Sequence, residues 1–148
     1  MILLTSLWLW ISSPTIDQVL DQFHQAAAEA NSAIYFSLLS EDAVIIGTDV
    51  SEIWVKSEFM SFCKPYFERG QGWVYIPTKR KIQISSDGRS AWFVEILKNK
   101  SYGTCRGTGV LIQTKEGWRI AQYHLTIPIP NEIAKDVTGL IAEFEKEK

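Results

Sequence analysis

The stretch after Trp73 constrains this chain more than any other. From there on, apolar residues recur at every second position, in runs separated only by short turns. Lys81–Ser85, Ser90–Leu97, Tyr102–Thr114 and Trp118–Ile127 read as strands, with Ser86–Arg89, Asn99–Ser101 and Lys115–Gly117 as the turns. A parallel pair needs a crossover of about a dozen residues, which these turns do not provide, so the strands run antiparallel. Before them the period is helical. Ile16, Val19, Leu20, Phe23, Ala27 and Ala30 place a helix of about 15 residues behind Thr15, and Thr15 with Gln18 makes a capping-box pattern. Ala33–Leu39 reads as a second short helix, Ala43–Ile46 as an apolar strand and Gly47–Asp49 as a loop. Ser57–Arg69 reads as a third helix in which Pro65 predicts a kink or an early stop. Asn131 caps a last amphipathic helix carrying Ile133, Val137, Leu140, Ile141 and Phe144. Helices first and a strand meander later is the α+β pattern.

Size and charge narrow the function classes. A chain of 148 residues with 46% hydrophobic and 22% charged residues suits one folded domain. A net charge of -2 argues against nucleic acid as the main partner. The first charged residue is Asp17, and residues 1–13 are apolar. Their apolar run of about 10 residues falls short of the ~20 that a bilayer span needs, so no integral membrane span is expected. The run matches the apolar region of a secretory signal peptide, without its basic start or a clear cleavage site. The expectation is export, periplasmic or secreted, if residues 1–13 are a truncated signal peptide, and a cytoplasmic protein otherwise, with the folded domain at 15–148. Cys63 and Cys105 suit either a disulfide or two buried thiols. His24 and His124 lack metal-ligand spacing, and no CxxC occurs, so neither a metal nor a cofactor is expected.

Strand parity turns the meander into a site. With Thr114 opposite Trp118, one face carries Arg106, Thr108, Val110, Ile112, Ile120, Gln122 and His124. The other carries Leu111, Ala121, Tyr123, Leu125 and Ile127, apolar throughout, and is expected outside, with Trp92, as a surface for a second copy. With Leu97 opposite Tyr102, Glu95 and Phe93 join the face of Arg106. That face reads either as a structural Glu95–Arg106 ion pair or as a pocket with a few orienting polar groups. In the pocket reading Glu95, Asp49 and His124 are the candidate acids and bases, and Arg106 is a candidate electrostatic donor. Arg106 and Gln122 are candidate ligand contacts, and Trp54, Tyr66 and Phe93 are candidate walls. His24 is placed at the edge of the first helix, and the basic run Thr78–Lys81 is read as solvated strand-edge charge.

Three segments carry a family resemblance: Val44-Ile-Ile-Gly-Thr-Asp49, Gly103-Thr-Cys-Arg-Gly-Thr-Gly109 and Trp118-Arg-Ile-Ala-Gln-Tyr-His-Leu-Thr-Ile-Pro128. The chain from about Thr15 to its end resembles the SnoaL-like branch of the nuclear transport factor 2-like superfamily. The resemblance implies a cone-like α+β barrel, in which a curved antiparallel sheet wraps a long N-terminal helix and encloses a pocket. It also implies pairing of two copies through the convex sheet face. That superfamily includes ketosteroid isomerases, polyketide cyclases, dehydratases and many non-catalytic domains, so fold alone does not set function. The expected function is binding of an unidentified small molecule with no established reaction. The alternatives are an isomerase, cyclase or lyase with a pocket carboxylate as general base, or a structural dimerisation module.

Overall fold

The computed structural model describes residues 14–147. The apolar run of residues 1–13, and with it the export reading, lies outside them. The chain order is α1 (Ile16–Ala28), α2 (Ser32–Ser37), β1 (Leu39–Ile46), β2 (Ile53–Val55), α3 (Lys56–Phe67), β3 (Ile76–Ile84), β4 (Ser90–Asn99), β5 (Gly103–Thr114), β6 (Gly117–Thr126), a short 3-10 turn (Asn131–Ile133) and α4 (Ala134–Lys146). The strands form one curved sheet in the order β2-β1-β6-β5-β4-β3. The meander β3 to β6 is antiparallel throughout. β1 joins its far side in parallel with β6 and carries β2 as an antiparallel edge. A parallel neighbour is possible there because α3 and the whole meander intervene between β1 and β6.

Local chemistry explains where the elements begin. The Thr15 hydroxyl accepts the Gln18 amide N–H, and the Gln18 side chain accepts the Thr15 N–H, so the capping box closes at the start of α1. Pro65 lies inside α3, which ends two residues later at Phe67. Its missing N–H removes one rung of the helical ladder near an end that was already due. α1 lays Val19, Leu20, Phe23, Ala26 and Ala27 on the concave face of the sheet, where they join Phe93, Leu111, Ile120 and Tyr123 in one core. None of the side chains of α4 is buried, so Leu140, Ile141 and Phe144 remain exposed.

The β5–β6 register combines two local irregularities. The hairpin turns through Lys115-Glu116, so Thr114 pairs with Gly117 rather than Trp118. Ala121 is then an extra residue in β6, between the Leu111–Ile120 and Val110–Gln122 pairs. The one-residue offset at the turn is thus cancelled, and Val110–Gln122, Thr108–His124 and Arg106–Thr126 pair as the sequence implies. The β4–β5 register departs further. Lys100, Ser101 and Tyr102 form the turn, Asn99 pairs with Gly103, and Leu97 pairs with Cys105 rather than Tyr102. Gly103 takes a positive φ of 69° there, which favours glycine. An odd-numbered slip exchanges faces. Glu95 therefore pairs with Gly107, and Arg106 pairs with Ile96 and points to the other side.

The two faces consequently exchange the environments inferred from parity. Leu111 and Tyr123, expected on the outside, are buried on the concave face, and Leu125 packs against the same core. Arg106, Thr108, Gln122 and His124 lie on the convex face beside Trp92 and Val94, both of them exposed. No Glu95–Arg106 ion pair forms. Cys63 and Cys105 are buried and unpaired. Burial pushes the Cys63 thiol up to about 12 and raises that of Cys105, so both remain protonated thiols in ordinary conditions. No helix among the described residues is long and apolar enough to cross a membrane. The described residues contain no group of three or more His, Cys, Asp or Glu that could hold a metal ion.

Candidate functional site

A cavity of about 320 Å³ opens between the helices and the β1–β6 side of the sheet. Its deep end is made by Phe23 and His24 of α1, Tyr35 of α2, Phe59 of α3 and Tyr123 of β6, all buried. Its mouth is made by Phe62 and Tyr66 of α3, Tyr102 of the β4–β5 turn and Glu52. Trp54 of β2 stacks on Phe62 with ring centroids 4.8 Å apart. Trp73 and Tyr75, in the segment leading to β3, complete the wall. The rings at the deep end are locked by each other. Phe23 stacks on Tyr35 at 4.5 Å and meets Tyr123 at 4.9 Å. Such aromatic pairs are worth roughly 0.5–1.5 kcal/mol beyond their burial.

Behind this deep end lies a carboxylate with no exposed surface. Glu95 sits on the concave face of β4, directly opposite Arg80 on β3. Its Oε2 accepts from Arg80 Nε at 2.9 Å. Its Oε1 accepts from the Tyr123 hydroxyl at 2.9 Å and lies 2.7 Å from His24 Nε2. Arg80 Nη1 reaches back to α1 and donates to Asp17 and Asp21, each at 2.9 Å. Arg80 Nη2 is buried without a partner among the described residues. Asp17, Asp21 and His24 lie on successive turns of one side of α1, so this network also pins the helix to the sheet.

Burial alone would raise the Glu95 pKa, but the His24 hydrogen bond and the charges of His24 and Arg80 outweigh it, and the carboxyl lies below its ordinary 4.5. Glu95 is therefore ionised at neutral pH and can only accept. It follows that His24 Nε2 carries the proton of the 2.7 Å contact. The other ring nitrogen, Nδ1, has no hydrogen bond among the described residues, and His24 is one of the cavity-lining residues. Burial and then the Glu95 charge push the Tyr123 phenol well above its ordinary 10.0, so it is a fixed donor. Gly107 makes the arrangement possible. A Cβ at that position would collide with the Tyr123 hydroxyl and the Glu95 carboxylate.

The residues singled out from the sequence are distributed around this geometry as follows. Trp54 and Tyr66 line the cavity. Glu95 lies behind the cavity, hydrogen-bonded to two residues that line it. Phe93 is buried next to Tyr123, 5.9 Å between centroids, and does not reach the cavity. Asp49 sits in the exposed turn after β1, where its carboxylate accepts from Ser51, and Glu52 occupies the nearby place on the cavity wall. Arg106, Gln122 and His124 face away on the convex side. Three residues were not singled out as site residues. His24 continues the buried stripe of Leu20, Phe23 and Ala27 and is readable from helical spacing. Arg80 lies two positions before Ile82 and so shares its inward face, a parity signal inside the basic run. Tyr123 was assigned to the outer face.

The comparisons agree with this geometry. The family model for the SnoaL-like domain matches residues 16–130. Among solved structures, an NTF2-like protein of unknown function from Pseudomonas putida KT2440 superposes with a TM-score of 0.66 at 14% identity, covering 79% of this chain and 87% of that one. A candidate dehydratase of the NTF2-like family from Streptomyces avermitilis gives 0.66 at 12% identity, covering 78% and 94%. A candidate ketosteroid isomerase from Shewanella frigidimarina NCIMB 400 gives 0.57 at 23% identity, covering 72% and 90%. At these identities the likeness carries the fold and no reaction. No match is found among curated protein sequences.

Proposed function

The chain belongs to the SnoaL-like domain family, and from that premise we propose that it binds a small, largely apolar molecule in the aromatic cavity, with a polar group of the ligand received by His24. The observation that carries this reading is His24 itself: one ring nitrogen is held by a sealed carboxylate, and the residue lines a hollow whose walls are mostly aromatic. A buried polar ring is costly unless it is bonded or used. Preorganisation of this kind is what a ligand site needs, because it lowers the cost of ordering the site on binding.

A second reading, proton transfer, is favoured by the same pair. An imidazole whose Nε2–H is held by a carboxylate can take up and return a proton at Nδ1, and the carboxylate stabilises the imidazolium form. In this reading the proton-transfer group is His24. Glu95 is a positioning residue, since it is fully buried behind the ring. Asp49 is too far toward the exposed turn to share the work. The exposed Trp92 and Val94 on the convex face support the pairing of two copies there.

The test is to purify the native protein, identify co-purified small molecules by mass spectrometry, and titrate them back while following Trp54 and Trp73 fluorescence. The reading expects a bound molecule that is lost from the folded Trp54→Ala variant, and from His24→Ala in conditions where that less stable variant remains folded. A molecule retained equally by both variants would contradict it.

A further inference from the structure

We infer that the ligand of this cavity carries an organic cation, an alkyl- or arylammonium group, held against the aromatic wall near Glu52. The inference rests on the cavity being a ligand site, and adds the charge and class of what it takes. Ten of the seventeen lining residues are Phe, Tyr or Trp. Leucine or valine would bury an apolar ligand equally well. Aromatic rings differ in presenting a negative face, which attracts a cation within about 6 Å of the ring centroid. Just outside the mouth the Tyr66 ring already engages a cation: the Arg69 guanidinium, which is not in the lining, lies 5.4 Å from its centroid.

Charge points the same way. No Lys or Arg lines the cavity, and its one carboxylate is Glu52. Glu52 is held in place: its Oε2 accepts the Asp49 N–H at 3.1 Å, and its carbonyl accepts the Gly47 N–H at 2.9 Å. The Tyr75 phenol is pushed up to about 12, mainly by burial, with the Glu52 charge among the further contributions. Burial likewise raises the Tyr35 phenol, so these rings offer neutral π-faces and not phenolates. Behind the deep end, Glu95, Asp17 and Asp21 share the single guanidinium of Arg80. An anionic ligand would enter with no Lys or Arg to receive it. A neutral ligand would gain burial and a hydrogen bond at His24, but no attraction to the ring faces or to the Glu52 charge. A cation gains both the ring faces and the Glu52 carboxylate.

The experiment compares two probes of nearly the same shape, choline and its uncharged isostere 3,3-dimethyl-1-butanol. Both are titrated into the full chain while the indole resonances of Trp54 and Trp73 are followed by NMR. The expected result is tighter binding of choline by roughly tenfold. Most of that preference should be lost in Glu52→Gln, which keeps an oxygen acceptor for the Asp49 N–H, and in Trp54→Leu. Equal affinity, or tighter binding of the neutral probe, would overturn the cation inference and leave the ligand-site reading standing. If neither probe moved the two indoles, both would fall.

Discussion

The layer behind the deep end of the cavity and the cavity's mouth are built from opposite materials. The layer behind is a closed polar lattice: Glu95 is fully buried and bonded to His24, Arg80 and Tyr123. The mouth is a loose collection of rings, with Phe62 39% and Tyr66 40% exposed. In the first, position is set by charge-assisted hydrogen bonds in a dry interior, where removing one partner strands the others. In the second, position is set by stacking, and water can replace what is lost. The difference teaches that stability and recognition reside in adjacent layers. A substitution in the lattice should unfold the protein before it alters binding, and a substitution at the mouth should do the reverse.

The largest effect is expected from Glu95→Gln. It leaves Arg80 buried without its inner partner, and a loss of about 3–5 kcal/mol is predicted from chemical denaturation. The pH dependence tests the same charge. A carboxylate whose folded pKa lies below 4.5 stabilises the fold fully above that value, and the stabilisation is lost as pH falls through the folded pKa. The wild type should therefore lose stability in acid below pH 4.5, and Glu95→Gln should show less of that loss. Identical acid profiles would break the comparison at its polar side.

Next comes Gly107→Ala, which forces a methyl group between Tyr123 and Glu95. A loss of roughly 1–3 kcal/mol is expected in thermal melts, against no loss for alanine at Gly139, where a Cβ meets open space inside α4 and alanine favours the helix. Trp54→Leu should cost about 1 kcal/mol, mainly the stack on Phe62, while ligand affinity falls clearly. A stability loss as large as that of Glu95→Gln would show that mouth and lattice are not separable. The smallest effect is expected from Asp21→Asn. Its carboxylate is 66% exposed although Arg80 is not, so solvent screens the pair and about 0–1 kcal/mol is predicted from a denaturant midpoint.

Much of the architecture was legible in the sequence because it rests on local rules. The Thr15–Gln18 box, the helical stripe of α1 and the antiparallel meander follow from spacing alone. The site was less legible because it depends on register, and register depends on turns. The β4–β5 turn takes Lys100, Ser101 and Tyr102, and the odd shift this makes sends Glu95 to the face opposite Arg106. The face choice failed for a second reason. The polar residues Arg106, Gln122 and His124 looked like pocket chemistry, and Tyr123 with Leu125 looked like an interface. In the folded chain, the small residues Cys105, Gly107 and Gly109 mark the concave side of β5, because Glu95, Phe93 and Tyr123 need that room. His24 and Arg80 were each placed by composition, one as a lone histidine and one as part of a basic run. Their helical and strand periods pointed inward. Tyr66 belongs to the third helix, which helical spacing places, whereas the three-residue strand β2 that carries Trp54 is too short to show a period in the sequence.

The central claim is that Glu95 fixes the orientation of His24 and leaves the other ring nitrogen for the cavity. A long-range proton–nitrogen NMR spectrum of the histidine rings at neutral pH tests this most directly. The account predicts a proton on His24 Nε2, shifted by its hydrogen bond to Glu95, and loss of that shift in Glu95→Gln. A His24 ring with Nε2 unprotonated, or with resonances indifferent to the Glu95 substitution, would contradict it.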